Sequence, residues 1–256
     1  MKTTIKNRKG QTLVVLIEEA QNPKGLVFVM HGLSGNKEQP HIATFAEAFK
    51  EKNYTVVRFD TTNTFGESDG KYEDATVTNY YEDLEDVISW AKNQPLFITP
   101  YCLAAHSLGS LCILLYAEKH PKEIKGLAPT SSVISGRLSL QTAKYKKRME
   151  EWKKTGWIEE KSTTSPNRIK RLLWSHMVDR LKYDLLLEVN KLTMPILMIV
   201  GEKDDSTPYE HQKLLYEKLP GKKEIYIIKN AVHDFAGPIQ LGEVKQIFLK
   251  WIDTLP

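Results

Sequence analysis

The sequence predicts an α/β fold built on a mostly parallel β-sheet. Segments that resemble strands alternate with segments that resemble helices over most of the chain. The strand-like segments are continuous apolar runs, as expected for strands that are buried on both faces of a parallel sheet. The length of 256 residues suits one large domain, or one core that carries an insertion.

The first half of the chain supplies five of these strands and three of the helices. The predicted strands are 12–20, 25–32, 54–60, 100–106 and 124–130, and the predicted helices are 41–53, 79–94 and 108–120. A turn at Asn22 and Pro23 joins the first two strands. We expect these two strands to pair as an antiparallel hairpin at the edge of the sheet.

The second half contains a break in this alternation. The predicted strands are 195–201 and 223–229, and the predicted helices are 209–219 and 242–255. Before them, residues 135–190 are helix-like and contain several aromatic residues, and apolar residues recur at helical spacing over 171–189. We therefore expect a core formed by 1–134 and 191–256, with a helical cap insertion at 135–190 over the carboxyl edge of the sheet.

Charge is distributed unevenly along the chain. The net charge is +4, but residues 137–191 contain 14 Lys and Arg residues against 7 Asp and Glu residues, which leaves the remainder acidic. A basic block of this kind can attract nucleic acid or acidic lipid, but it is more often the solvated face of helices. We find no nucleic-acid-binding motif and expect no nucleic-acid partner.

The N-terminus and the cysteines indicate the compartment. The first apolar run, Leu13 to Ile17, is too short for the core of a signal peptide, and no run approaches the roughly 20 residues of a membrane span. Cys102 and Cys112 both lie in apolar runs, so two buried thiols are favoured over a disulfide. We expect a cytoplasmic protein without a membrane span.

One serine is framed by small residues where a predicted strand gives way to a predicted helix. The stretch is LAAHSLGSLCILLYAEKHP, in which Ala105 and Gly109 lie two residues either side of Ser107. A serine that projects from a tight strand-to-helix turn crowds its neighbours at these two positions, so both must be small. Such turns lie at the carboxyl edge of a parallel sheet, where α/β proteins place their ligands. On its own, Ser107 could equally cap the helix.

A serine nucleophile needs a base and an acid, and both are available at later strand ends. His233 follows the last predicted strand, and Asp204 and Asp205 follow the strand before it. Taken singly, the histidine could be structural and the aspartates could form a turn. Together they give the order Ser, Asp, His, each at the end of a predicted strand. Backbone amides of Leu108 and Leu33 are the expected donors to an oxyanion.

Several segments together resemble the α/β-hydrolases, in particular cinnamoyl and feruloyl esterases and monoacylglycerol-lipase-like serine hydrolases. The matching segments are His31-Gly32, VVRFD (56–60), FGESDGKYEDATV (65–77), AHSLG (105–109), GEKDDSTP (201–208) and VHDF (232–235). The resemblance implies a mostly parallel eight-stranded sheet with a cap inserted before the seventh strand. It also assigns the acid to Asp204, four residues before Pro208. The departures are Ala105, where the family usually has glycine, and the Thr64-Phe65-Gly66 turn.

The cap is rich in aromatic residues. Tyr145, Trp152, Trp157, Trp174 and Tyr183 all lie in it, and we expect most of them to pack the cap onto the body. Aromatic residues in a cap can also line an acyl or aryl pocket. Trp174 and Met177 are the predicted substrate-binding residues.

These observations predict a serine carboxylesterase for small to medium acyl or aryl esters. Ser107 is the predicted nucleophile, His233 the general base and Asp204 the orienting acid. No cofactor and no metal ion are expected, and the partner is a small-molecule ester. The alternatives on the same residues are an aminopeptidase, a thioesterase or an acyltransferase. A non-catalytic binding protein on the same scaffold is less favoured, because no member of the triad is missing.

Overall fold

The computed structural model describes residues 1–161 and 169–256. The strands are β1 (Lys2–Lys6), β2 (Thr12–Glu18), β3 (Gly25–Met30), β4 (Tyr54–Phe59), β5 (Tyr101–His106), β6 (Ile124–Thr130), β7 (Trp157–Lys161), β8 (Ile169–Leu173), β9 (Ile196–Gly201) and β10 (Lys223–Ile228). The helices are α1 (Pro40–Glu51), α2 (Val77–Ala91), α3 (Leu108–Lys119), α4 (Gly136–Gln141), α5 (Ala143–Lys146), α6 (Met149–Thr155), α7 (Ser175–Arg180), α8 (Tyr209–Lys218) and α9 (Pro238–Ile252).

Eight strands form one sheet in the order β1-β2-β4-β3-β5-β6-β9-β10. The last six of these are parallel, and β1, β2 and β4 are joined by antiparallel pairing. This confirms the mostly parallel eight-stranded sheet of the α/β-hydrolase fold.

The predicted pairing of the first two strands is wrong. The edge hairpin is formed by β1 and β2, and β3 lies inside the sheet between β4 and β5. The physical reason is visible in the burial: every residue of β3 is buried, whereas β2 retains partly exposed positions. A strand that is apolar on both faces is stabilised most in the interior of a sheet that helices cover on both sides.

The side chains of β3 alternate between two cores. Phe28 and Met30 pack into the core that contains α2 and α3, whereas Val27 and Val29 pack into the core that contains α1 and α9. Period-two alternation therefore places one helix layer on each face of the sheet. Because α3 lies directly after β5, its first turn is held at the carboxyl edge of the central strands.

The segment predicted as a helical cap contains strands as well as helices. Four short helices, α4 to α7, lie in it, together with the antiparallel hairpin of β7 and β8. The helical spacing over 171–189 predicts one helix, but only Ser175–Arg180 is helical there. Arg171 lies 4.2 Å over the ring of Trp157 across the hairpin, and this cross-strand contact favours pairing over a continuous helix.

Both cysteines are buried free thiols, as predicted. Within the described residues, no helix has the length and the apolar character that crossing a membrane requires.

Candidate active site

Ser107 lies on a strained turn between β5 and α3. Its backbone has φ of 55° and ψ of −114°, a left-handed conformation that is uncommon for any residue except glycine. The turn is held by the Ser107 N–H, which donates to the Thr130 carbonyl at 2.9 Å. The Ser107 side chain makes no capping hydrogen bond to α3, so the alternative of a simple helix cap does not describe it. Such strain is typical of functional turns.

Close packing explains the small residues on either side of the serine. A Cβ atom added to Gly109 would lie 2.4 Å from the His31 carbonyl oxygen, which leaves room for glycine alone. Ala105 is completely buried opposite Met30 on one neighbouring strand and Pro129 on the other. The alanine that departs from the family pattern is therefore enclosed between two neighbouring strands.

The structure brings His233 and Asp204 to Ser107. His233 Nε2 lies 2.9 Å from Ser107 Oγ, and His233 Nδ1 lies 2.8 Å from Asp204 Oδ2. With Asp204 ionised, Nδ1 carries the hydrogen and donates it, and Nε2 accepts from the serine hydroxyl. Asp205 is exposed, and its carboxylate accepts a hydrogen bond from the adjacent Ser206 hydroxyl at 3.2 Å.

The Asp204 carboxylate is buried, and both of its oxygens accept hydrogen bonds. Oδ1 accepts from the backbone N–H groups of Ser206 and Thr207, at 3.0 and 2.8 Å. Burial acts to raise the pKa of Asp204, but the hydrogen bond and the charge interaction with His233, together with the bonds from Thr207, outweigh it and hold the pKa below its usual range. Asp204 is therefore an anion at neutral pH.

Thr207 is a residue that the sequence analysis missed. Its Oγ1 lies 2.8 Å from Asp204 Oδ2, 2.9 Å from the Ser131 carbonyl oxygen and 3.3 Å from His233 Nδ1. A threonine three residues after an aspartate is compatible with an Asx-type turn, and that spacing could have indicated the contact.

His106, directly before Ser107, is a second residue that the sequence analysis does not single out. Its Nε2 donates to the His233 carbonyl at 2.9 Å, and the two imidazole rings lie 4.6 Å apart. The ring of His41 packs on its other side at 4.3 Å. Burial lowers the pKa of His106 to about 4, so the ring is neutral at pH 7. Only the fold reveals this stack, because the three histidines come from distant segments.

The predicted oxyanion donors lie beside the serine. Leu33 and Leu108 both line the cavity next to Ser107, and a Cβ atom added to Gly32 would lie 2.9 Å from Ser107 Cβ. His31 fixes the start of this loop: its Nε2 accepts from the Thr61 N–H at 3.1 Å and its Nδ1 donates to the Gly32 carbonyl at 2.7 Å. These bonds turn the Gly32 carbonyl toward the His31 ring.

A buried ion pair anchors the same loop. Lys37 and Asp60 are 1% and 0% exposed, and their Nζ and Oδ2 atoms lie 2.9 Å apart. Asp60 also accepts from the backbone N–H groups of Lys37 and Glu67 at 2.7 and 2.8 Å. A Cβ atom added to Gly66 would fall 2.2 Å from the Asp60 carboxylate carbon, so the Thr64-Phe65-Gly66 turn retains the glycine that this packing needs.

A cavity of about 390 Å³ opens beside Ser107. Three of its aromatic lining residues are Tyr72, Tyr145 and Trp152. Trp174 and Met177 are not among its lining residues, which corrects the prediction that these two bind substrate. Met177 is completely buried, and Trp174 packs edge-on against Trp152 at 5.5 Å. Trp174 therefore packs against a residue of the cavity wall, and Met177 belongs to the hydrophobic core.

One group of potential metal-ligating atoms lies at the site. Ligand atoms of His106, His233 and Asp234 come within 4.8 Å of one another. Both ring nitrogens of His233, however, are in hydrogen-bond contact with Ser107 and Asp204, and His106 donates to the His233 carbonyl. The two histidines are therefore engaged in the hydrogen-bond network around the serine, and we assign no metal role to the group.

Solved structures with the same fold cover almost the whole chain. Est1E from Butyrivibrio proteoclasticus, solved with bound ferulic acid, has a TM-score of 0.79 at 21% identity and covers 99% of this chain and 98% of its own. The alpha/beta hydrolase domain-containing protein 10 from mouse has a TM-score of 0.79 at 18% identity, with coverage of 99% and 98%. A putative hydrolase from Agrobacterium vitis S4 has a TM-score of 0.80 at 17% identity, with 98% of each chain covered.

Sequence comparison gives two family matches. The family described as PhoPQ-activated pathogenicity-related protein matches residues 143–255. The Hydrolase_4 family, described as serine aminopeptidase, S33, matches residues 21–170. No curated protein matches the chain. Because the Hydrolase_4 match spans more than half of the 256 residues, the chain belongs to this family and is a hydrolase with the α/β-hydrolase fold.

Proposed function

We propose that this protein is a serine carboxylesterase that hydrolyses small to medium acyl or aryl esters through an acyl-enzyme. The observation that carries the proposal is the pair of contacts at the strained turn, 2.9 Å from Ser107 to His233 and 2.8 Å from His233 to Asp204. A nucleophile, a base and an orienting acid in hydrogen-bond contact are the arrangement that acyl transfer requires.

In the proposed reaction, Ser107 Oγ attacks the ester carbonyl carbon as His233 Nε2 accepts its proton. The Leu33 and Leu108 N–H groups donate to the oxyanion that forms, and Asp204 stabilises the imidazolium. Collapse of the tetrahedral intermediate transfers the proton from His233 to the departing alcohol and leaves the acyl group on Ser107. A water molecule, deprotonated by His233, then attacks the acyl-enzyme and releases the carboxylic acid.

The size of the cavity and one structural relative support the substrate class. A cavity of about 390 Å³ is within the range of small-molecule sites, at its lower end. Est1E, which has the same fold, was solved with ferulic acid, an aryl carboxylic acid of the kind that ester hydrolysis releases. Both observations favour esters of modest size.

An aminopeptidase is the second candidate, because the matched family is described as serine aminopeptidase. The same triad could cleave an amide once a free amino group is bound. Turnover of p-nitrophenyl esters against aminoacyl anilides separates the two functions. We expect ester turnover to dominate, and faster cleavage of aminoacyl anilides would reverse the assignment.

Labelling by a fluorophosphonate probe tests the nucleophile. The probe should label the parent protein and fail to label Ser107→Ala, and that variant should lose ester turnover while its circular dichroism spectrum is unchanged. Loss of a triad nucleophile costs orders of magnitude in rate, so residual activity within about tenfold of the parent would contradict the proposal.

A further inference from the structure

Among the residues that the structure describes, one arginine of the cap is buried without a carboxylate partner. Arg180, at the end of α7, is 3% exposed and lines the cavity that contains Ser107. One terminal nitrogen donates to the Tyr145 hydroxyl at 3.2 Å, and Nε has no hydrogen-bond partner among the described residues. Arg180 forms no ion pair with a carboxylate of residues 1–161 or 169–256.

A buried guanidinium without a counter-ion is costly. Removing an unpaired charge from water costs several kcal/mol, and proteins rarely bury one without a compensating partner. Arginine binds carboxylates strongly because its planar donors match the two carboxylate oxygens. A cationic group that is buried in a ligand cavity and lacks an internal partner is therefore suited to an anionic group on the ligand.

Other cations of the cap line the same cavity. Lys144 and Lys170 are both partly buried lining residues, and Lys170 Nζ lies 3.4 Å from the Ser34 hydroxyl. Neither lysine forms an ion pair within the described part of the chain. The one cap carboxylate in the lining, Glu160, is paired with Arg148.

The remaining lining carboxylates belong to the body. Asp205 and Asp234 directly follow Asp204 and His233 in the loops after β9 and β10. Charge in the cavity is thus divided: cations predominate on the cap, and the free carboxylates lie on the loops that carry the triad.

The electrostatic environment of Tyr145 agrees with this division. Tyr145 is buried, and burial acts to raise its pKa, yet the positive charges of Arg180 and Lys144 outweigh burial and lower the pKa below its usual value. The guanidinium of Arg180 also lies 5.5 Å over the Tyr145 ring. Arg180 and Lys144 therefore both act on this end of the cavity with positive charge, although Glu160 opposes them.

We propose that Arg180, assisted by Lys144, binds a carboxylate on the substrate, so that the preferred esters carry a negative charge in their acyl or alcohol part. This inference rests on the proposed esterase function of Ser107. The ester carbonyl would lie at Ser107 and the substrate carboxylate at Arg180, at two places in one cavity. Because this contact is made equally in the ground state and the transition state, it should lower KM more than it raises kcat.

Matched pairs of charged and neutral esters test the inference. For the alcohol part, 4-acetoxybenzoate is compared with 4-acetoxybenzamide; for the acyl part, monoethyl adipate is compared with its carboxamide analogue, ethyl 5-carbamoylpentanoate. In at least one pair, we expect the charged ester to have a kcat/KM about tenfold higher, mainly through KM, which corresponds to one charge-assisted contact. The pair that shows the preference identifies the part of the substrate that carries the charge.

Two cavity variants and one control assign the effect to the cap. Arg180→Gln and Lys144→Gln should each raise KM for the charged ester more than KM for its neutral partner, so that the preference for the charged ester shrinks. Lys154→Gln is the matched control, because it removes the same charge from an exposed position of α6 that does not line the cavity. Lys144 is only partly buried, so its variant remains informative if Arg180→Gln fails to fold.

The outcomes separate this inference from the proposed function. If the fluorophosphonate labels Ser107 and neutral esters are hydrolysed as well as charged ones, the inference is wrong and the esterase function stands. If no ester is hydrolysed, the function is wrong, and the carboxylate site is then judged by calorimetric binding to Ser107→Ala. That protein should bind monoethyl adipate more tightly than the carboxamide analogue, and equal binding would overturn the inference. A preference that survives both cavity variants would overturn it as well.

Discussion

At the scale of single residues, the two adjacent aspartates are chemically identical but differ in environment. Asp204 is buried against His233, whereas Asp205 is exposed. Loss of the orienting acid typically costs about 10⁴ in kcat, because the imidazole then adopts the wrong tautomer. We therefore expect Asp204→Asn to be nearly inactive and Asp205→Asn to keep at least about a tenth of the parental kcat. The reverse pattern in steady-state kinetics would transfer the acid to Asp205.

Ala105 is a second residue whose size should decide activity. It is completely buried two residues before the nucleophile, and its carbonyl accepts hydrogen bonds from the Ser110 and Thr130 hydroxyls, both at 2.9 Å. Valine adds two methyl groups to a filled site, and overpacking of this kind costs about 1–3 kcal/mol. We expect Ala105→Val to lose most of its activity or soluble expression and Ala105→Gly to be tolerated. A valine variant with parental Tm and kcat would contradict the proposed crowding.

The residues that lie at strand ends could be predicted from the sequence, whereas contacts between side chains of different loops could not. The juxtaposition of Ser107, Asp204 and His233 could be predicted because parallel strands bring their carboxyl ends to one edge, so the position of each residue in its segment is enough. His106 and Thr207 act through contacts between distant loops. Trp174 and Met177 were assigned wrongly to substrate because an aromatic or apolar side chain in a cap looks the same in sequence whether it lines the cavity or packs behind it.

At the scale of secondary-structure elements, helix α3 buries a carboxyl group, and one of its oxygens has no hydrogen-bond partner within residues 1–161 and 169–256. Glu118 is 8% exposed, and burial, reinforced by Glu188, raises its pKa to about 7. Because the folded pKa exceeds the unfolded one, the folded state binds more protons between about pH 4.5 and 7, and stability falls as the pH rises through that window.

Removing this charge should stabilise the protein at neutral and alkaline pH, but not near pH 4.5. Above pH 7 the ionised Glu118 costs about 3 kcal/mol, since each unit of pKa shift corresponds to about 1.4 kcal/mol. We expect Glu118→Gln to raise the free energy of unfolding in urea at pH 8 and to leave it nearly unchanged at pH 4.5. Glu217→Gln, at an exposed position of α8, is the control and should show no such pH dependence. A destabilised Glu118→Gln at pH 8 would contradict this account.

Local pattern predicted most elements of the core because nearly all of them are continuous apolar runs or amphipathic repeats. Strand β1 and the hairpin of β7 and β8 are not predicted, for different physical reasons. Strand β1, KTTIK, has one buried side chain and therefore no apolar run to reveal it. Strand β8 precedes a short helix without an intervening turn signal, so apolar residues of both elements combined into a false helical repeat over 171–189.

At the scale of the whole molecule, four buried histidines make the fold sensitive to acid. They are His31, His41, His106 and His176, and burial is the largest cause that lowers the pKa of each. For His106 and His176 the pKa falls to about 4 and about 3. A histidine whose folded pKa is depressed binds fewer protons in the folded state than in the unfolded chain. Stability is therefore lost as the pH falls through the ordinary histidine range.

The histidines and Glu118 act in opposite directions, so the sizes of their contributions decide whether the free energy of unfolding rises or falls between pH 7 and pH 5. His106 and His176 each cost about 2 kcal/mol over this interval, since the unfolded chain titrates near pH 6.5. His31 and His41 act in the same direction. Glu118 opposes them by about 2 kcal/mol, because its protonation relieves a buried charge. The combined contribution of the histidines is larger than that of Glu118, so the free energy of unfolding should fall on acidification.

Urea unfolding of the parent at pH 7 and pH 5 measures the net change in the free energy of unfolding. The same measurement on Glu118→Gln isolates the contribution of the buried carboxyl group. That variant lacks the opposing carboxyl group, so its loss of stability between the two pH values should exceed that of the parent by about 2 kcal/mol. The increment follows from the buried charge of one residue, while the loss common to both proteins follows from the buried imidazoles. A parent that is more stable at pH 5 than at pH 7 would show that the histidines are protonated in the folded state. Equal losses in parent and variant would instead show that Glu118 has the same pKa in the folded and unfolded states, so that its carboxyl group binds no additional proton on folding between these two pH values.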